Sequence, residues 1–161
     1  MVDSVLTYLR SDSDPERPAN TDVAVLCATL VDDAVDRGLD ARYEGPDHAE
    51  LQIRPVALKR AVANLLENAL RYGEAALLSV SRGSDELVIT VDDDGPGIPE
   101  TELERVLEPF VRLRSERPRD TEGFGLGLAI AARIVGREGG ALRLANRPGG
   151  GLSATIMLPD S

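Results

Sequence analysis

The stretch NLLENALRYG, Asn64 to Gly73, carries a polar stripe on what its spacing predicts to be a helix. Leu58, Val62, Leu65 and Ala69 recur at three- and four-residue intervals and form an apolar face. Asn64, Glu67, Asn68 and Arg71 recur the same way on another face. A solvated face favours Lys, Glu and Arg, whereas an Asn inside a helix costs roughly half a kcal/mol relative to Ala. Two Asn one turn apart beside a Glu therefore point to a polar site rich in oxygen ligands. An amide oxygen and a carboxylate suit Mg²⁺, which keeps waters and takes phosphate oxygens as further ligands.

A second segment, VDDDGPGI, ends an apolar, β-branched run with three consecutive acids and a Gly-Pro-Gly turn. The acids do not alternate as in a calcium loop, and Thr90 stands where the first ligand belongs. Neighbouring strand residues face opposite ways, so a pocket receives either Asp93 or the pair Asp92 and Asp94. A carboxylate there accepts hydrogen bonds only, which suits an exocyclic amino group such as adenine N6 and rejects guanine O6. Gly95 and Gly97 let the backbone turn tightly beside a ligand.

A third segment, EGFGLGLAIAARIV, alternates Gly123, Gly125 and Gly127 ahead of an apolar helix. Successive backbone N–H groups and a helix N-terminus make an anion site. It is not a Walker loop, because G-x-x-x-x-G-K-[ST] is absent and the only lysine, Lys59, falls on the earlier helix. The fourth segment, LEPFVRLRSERPR, places Phe110 beside Arg112, Arg114, Arg117 and Arg119, the pattern of a hinge and a basic lid.

The elements that must position these groups read as an α/β sandwich, with helices forming one layer and a mixed, mostly antiparallel sheet the other. Residues 1–11 read as a short helical piece and 12–20 as a Ser/Asp/Pro-rich linker. Asn20 or Thr21 is positioned to cap a helix running to about Arg37. Two short strands follow around Gly45-Pro46-Asp47, then a helix from Pro55 to Gly73. A hairpin turns at Gly83-Ser84, a short helix runs from Pro99 to about Leu107, and residues 112–123 read as a long loop. The last helix is expected from about Leu126 to Arg137, followed by a hairpin around residues 148–151.

The 161 residues suffice for one domain with a core, built from aliphatic side chains because aromatics are only 3%. A net charge of −10 disfavours nucleic acid as a partner. No apolar run reaches the roughly 20 residues of a membrane span, so no membrane contact by these residues is expected. The single cysteine, Cys27, rules out an intrachain disulfide and fits a reducing, cytoplasmic setting.

In this order, NLLENALRYG, DDGPGI, EPFVRL and GFGLGLAIA resemble the N, G1, F and G2 boxes of sensor histidine kinases, across roughly residues 20–160. The wording is most similar to that of EnvZ-type osmosensor kinases, and SVLTYLR resembles the end of that family's dimerisation and phosphotransfer helix. The resemblance implies a Bergerat-type ATP-binding fold over residues 21–160, with ATP between helices and sheet. It implies Asn68 as Mg²⁺ ligand, Glu67 as general base, and Asn64 and Arg71 on the metal and phosphates. Tyr72 would line the nucleoside and Asp93 bind the adenine amino group, with Gly95, Gly97 and Ile98 shaping that wall. Phe110 and Arg112 would belong to the lid, and Gly123, Gly125, Leu126, Gly127 and Leu128 to the phosphate side. Ser153 would hold a water at adenine. The implied partners are a His-bearing dimerisation domain of the same kinase and an OmpR-type response regulator, on the cytoplasmic side of a membrane-anchored protein. The only histidine, His48, lies in a turn outside all four boxes, and Ala49 follows it where an acid would polarise an acceptor ring. The acceptor is therefore expected to come from elsewhere. An anti-sigma-type serine kinase switch shares the fold and is the alternative; a chaperone- or mismatch-repair-type ATPase needs a large following domain.

Overall fold

The computed structural model describes residues 16–103 and 118–160, with side chains left aside at 118–126. Seven strands and three α-helices form among these residues: β1 Ala19–Asp22, α1 Val23–Asp36, β2 Asp40–Glu44, β3 Glu50–Ile53 and α2 Pro55–Tyr72 come first. They are followed by β4 Ala75–Arg82, β5 Glu86–Asp93, α3 Pro118–Arg137, β6 Ala141–Asn146 and β7 Leu152–Pro159. The main sheet has five strands in the order β2-β4-β5-β7-β6. Only β2 and β4 run parallel; β4–β5, β5–β7 and β6–β7 are antiparallel. The expected sandwich with a mixed, mostly antiparallel sheet under three helices is what forms. Strands β1 and β3 make a separate antiparallel pair.

Strand periodicity decides which residues meet the helices. Leu78 and Val80 of β4, Leu87, Ile89 and Val91 of β5, and Ala154, Ile156 and Leu158 of β7 are buried on one face. Leu58, Val62, Leu65 and Ala69 of α2 pack into the same core, so the apolar stripe read from sequence is the buried one. Cys27 on α1 is buried, and burial pushes its thiol up to about 12, so it stays protonated.

Three boundaries differ from expectation. Ala19 and Asn20 pair with Ile53 and Gln52, so the linker ends earlier and α1 cannot start before the strand is over. Its cap is accordingly Asp22, which accepts from Val25 N at 3.2 Å, not Asn20 or Thr21. The third helix starts at Pro118 rather than near Leu126. Proline is suited to a first helical turn, and the Pro-Arg-Asp-Thr-Glu run tolerates a helix despite its loop-like composition. After Pro99 there is a 3₁₀ turn at Glu100–Glu102, and the rest of that expected helix, from 104 on, lies outside the described residues.

Helix α2 begins at Pro55 without a side-chain cap from Arg54, the residue before it. Glu16 supplies the cap from far upstream, its two carboxylate oxygens accepting from Val56 N at 2.7 Å and Ala57 N at 3.0 Å. Arg54 donates from Nε to Glu16 O at 2.9 Å and from its guanidinium to Glu138 Oε2 at 3.0 Å, just past the end of α3.

Candidate functional site

Burial of the apolar face fixes the rotation of α2 and sets its polar stripe at the edge of the core. Asn68 is 7% exposed, and the Nδ2 of half-buried Asn64 is buried with no hydrogen-bond partner among the described residues. A buried donor left open costs on the order of 1–3 kcal/mol, which marks a position made for an acceptor. Glu67 and Arg71 are exposed on the same stripe, and Tyr72 is half-buried with a buried hydroxyl.

The three acids after β5 have three fates. Asp93 lies on the helix-covered face and is buried. Its Oδ1 accepts from Gly95 N at 2.8 Å and Leu152 N at 3.1 Å, bonds that leave Oδ2 unused. Burial raises its carboxyl above the ordinary aspartate value, against the pull of those two N–H groups. Asp94 is exposed and turns back to the start of β4, accepting from Glu74 N at 2.7 Å and Ala75 N at 3.0 Å. These bonds hold its carboxyl below the usual range. Asp92 points to the other face of the sheet.

Backbone contact brings the end of α2 against this turn. A Cβ at Gly95 would lie 2.5 Å from Tyr72 O, and one at Gly73 would lie 2.7 Å from Asp94 Oδ1. Gly97 takes φ +78°, and Ile98 beyond it is buried. The structure thus brings Tyr72, Asp93, Gly95, Gly97 and Ile98 together, at the end of the helix that carries Asn64 and Asn68.

Two expectations need correction. Ser153 pairs with Asp92, not Asp93, so it sits on the opposite face of the sheet; Leu152 occupies the neighbouring position and reaches Asp93 through its N–H. Gly123, Gly125 and Gly127 lie inside α3 rather than in a loop ahead of it, so their N–H groups are helix-interior donors, and the open N–H groups belong to the turn after Pro118. Within α3, Gly127 is half-buried and Leu128 is fully buried. Phe110, Arg112 and the side chain of Leu126 lie outside the described residues.

Sequence reasoning missed Asn146, Arg147 and Gly151. Asn146 bonds both backbone groups of Ile98, and Arg147 donates to Asp93 O at 2.7 Å. In the sequence they read as ordinary residues of an ANRPGGG turn, and no local signal ties them to a turn some 50 residues away.

A family model for histidine kinase-, DNA gyrase B- and HSP90-like ATPases matches residues 53–161, which include the polar stripe, the Asp93 turn and α3. The chain belongs to this ATPase family. Within it, the sensor histidine kinase GtrS of Pseudomonas aeruginosa is 51% identical over 106 residues, which cover 66% of this chain and 22% of that protein. The histidine-protein kinase AfsQ2 of Streptomyces coelicolor is 39% identical over 168 residues, covering 99% of this chain and 30% of that protein. The ATP-binding domain of PrrB from Mycobacterium tuberculosis superposes with a TM-score of 0.75 at 27% identity, covering 91% of this chain and 99% of that one. The chain is thus an ATP-binding domain of the sensor histidine kinase type, and it spans between about a fifth and two fifths of curated relatives it matches. Among the described residues no helix is long and apolar enough to cross a membrane.

Members of this ATPase family need a place for the triphosphate and its cation, and the residues present fit one. Among the described residues no group of three or more His, Cys, Asp or Glu side chains is placed to hold a metal ion. Asn68 offers a hard amide oxygen at the edge of the core, and Asn64 an open donor one turn away. That is the sparse set Mg²⁺ uses when phosphates and water complete its shell.

Proposed function

We propose that this domain binds Mg²⁺-ATP and transfers the γ-phosphoryl group to a histidine on a separate dimerisation domain of a sensor kinase, for relay to an OmpR-type response regulator. The setting is the cytoplasmic side of a membrane-anchored protein. The observation that carries the reading is Asp93. Its carboxylate is buried, held through one oxygen by two backbone N–H groups, and packed beside the helix that bears Asn64 and Asn68. Oδ2 accepts the adenine amino group, and Gly95 and Gly97 let the turn beside it close against Tyr72 and Asn146. A guanine would set its O6 acceptor against this carboxylate and be refused.

Asn64 and Asn68 take the phosphate end. Through its amide oxygen Asn68 would hold Mg²⁺, which would supply charge screening for the triphosphate. Asn64 donates to a phosphate oxygen or a water, and Arg71 reaches the same charge from the exposed end of the stripe. Glu67 stands next to Asn68 but faces solvent, where an incoming imidazole can meet it and give up its proton. The rest of the work is positioning, since phosphoryl transfer asks the protein mainly to align donor and acceptor.

His48 is a poor acceptor. It lies between β2 and β3, on a connection that bears none of the contacts proposed here, with its Nδ1 2.7 Å from Asp22 Oδ2 at the start of α1. The direct test mixes the chain with labelled ATP, with and without a helical-hairpin domain carrying an acceptor His. Acid-labile label on the added domain, and none on the chain alone, is expected. Glu67→Gln should slow transfer roughly 100- to 10,000-fold while sparing nucleotide binding. Acid-stable label on serine would instead establish the anti-sigma-type reading.

A further inference from the structure

The turn between β6 and β7 grips the Asp93 turn at both ends. Asn146 donates from Nδ2 to Ile98 O at 2.6 Å and accepts from Ile98 N at 2.9 Å. A primary amide that satisfies both backbone groups of one residue acts like a short piece of paired strand. The next residue, Arg147, donates from its guanidinium to Asp93 O at 2.7 Å. On the way back, Leu152 N donates to Asp93 Oδ1.

The fit leaves no slack. Gly97 at φ +78° would put a Cβ 2.5 Å from Asn146 Oδ1, and Gly151 at φ +101° would put one 1.9 Å from Asp93 O. Each turn therefore needs glycine where the other approaches. Chain entropy alone would not hold a Gly-Pro-Gly segment in one shape, because Gly loses more freedom on ordering than any other residue. The bonds from Asn146 and Arg147 supply the restraint.

We propose that Asn146 and Arg147 are positioning residues for base recognition: by pinning Ile98 and the Asp93 backbone, they aim the free oxygen of Asp93 and set how strictly the site demands an amino group on the base. The inference rests on the reading of Asp93 as the adenine contact. A hydrogen bond needs its heavy atoms within about 2.7–3.2 Å and good alignment, so a small shift of this turn forfeits it. Neither side chain has to touch the nucleotide.

The test compares ATP with purine riboside triphosphate, which lacks the amino group. The wild-type chain should prefer ATP by about tenfold to a hundredfold, the worth of one charge-assisted hydrogen bond. In Asn146→Ala and in Arg147→Met this ratio should collapse toward one, through loss of ATP affinity alone. Arg147→Lys, which keeps a cationic donor, should recover much of it. Arg147 is exposed, so its variants report even if Asn146→Ala fails to fold. A wild-type ratio of one would overturn the adenine contact itself. A high ratio kept by the variants, even with a lowered melting temperature, would overturn the positioning role and leave a structural one.

Discussion

The turn after β5 and the first half of α3 both alternate glycines, yet the glycines do opposite things. In the Asp93 turn they permit contact. Gly95, Gly97 and their counterpart Gly151 each sit where a Cβ would strike a neighbouring oxygen at 2.5 Å or less. Side-chain and backbone bonds then lock the segment from two directions. In α3, by contrast, Gly127 has nothing within 4 Å of a Cβ position. A helical Gly gives up about 1 kcal/mol relative to Ala. With Gly123, Gly125 and Gly127 in one stretch, that half of the helix is held weakly by its own backbone. The Asp93 turn is thus fixed by its neighbours, while this stretch of α3 gives up more backbone entropy to stay helical.

The largest effect that would break this comparison comes from adding a methyl group to each region. Gly151→Ala must relieve both a positive φ and a clash with the Asp93 carbonyl, and should destabilise the domain by about 3 kcal/mol or more. Gly127→Ala should go the other way, stabilising by roughly 0.5–1 kcal/mol, because the new side chain meets open space in a helix. Chemical denaturation of both variants decides it. Equal losses at the two positions would erase the distinction.

Asp93→Asn probes the rigid end by charge rather than volume. It should weaken ATP about tenfold to a hundredfold, through loss of a charge-assisted bond. Because burial raises the Asp93 carboxyl, the wild type should take up a proton there at a higher pH than an ordinary aspartate. Its advantage over Asp93→Asn should therefore shrink on acidification, beginning above the ordinary value of 3.8. Expressing the result as a ratio of the two proteins cancels the titration of the nucleotide. A ratio constant across that range would mean that the charge of Asp93 is not used.

The smallest effect is the baseline, at a place belonging to neither region. His48 and Asp22 pair at the surface, the ring shifted upward by the Asp22 bond and Asp22 lowered to about 2, first by Ala49 N–H and then by the ring. The raised histidine stabilises the fold below its unfolded value of 6.5, and that contribution fades as pH rises through the shifted one. The lowered aspartate contributes above 3.8 and is lost as pH falls toward about 2. His48→Ala should therefore lower the melting temperature slightly between these limits, do nothing at alkaline pH, and leave nucleotide binding alone. Melting curves across pH test this, and a change in ATP affinity would show that the pair is coupled to the site.

What could be read from sequence follows the range of the physics involved. The polar stripe of α2 was legible because its apolar complement fixes the helix's rotation within 18 residues. Asp93 was legible as one of two alternation choices. Strand alternation also settles Ser153, but only once its partner in β5 is known, and register between strands some 60 residues apart is not a local property. The start of α3 was misjudged because Pro118 and three glycines are loop signals when read singly, whereas a first-turn proline and tolerated glycines coexist in one helix. The Glu16 cap and the Asn146 clamp are side chains serving backbone far away in the chain, where no spacing rule reaches.

The capping of α2 by Glu16 also has a mechanical side. Arg54 ties the same glutamate's backbone to Glu138 beyond the end of α3, so one point of the chain is pinned to two helices at once. The 18 residues of α2 make a rod of roughly 27 Å, with Glu16 at one tip and Asn68 and Tyr72 toward the other. A displacement of the backbone at residue 16 would therefore act on the foot of α2, the helix whose far end carries Asn68 and Tyr72.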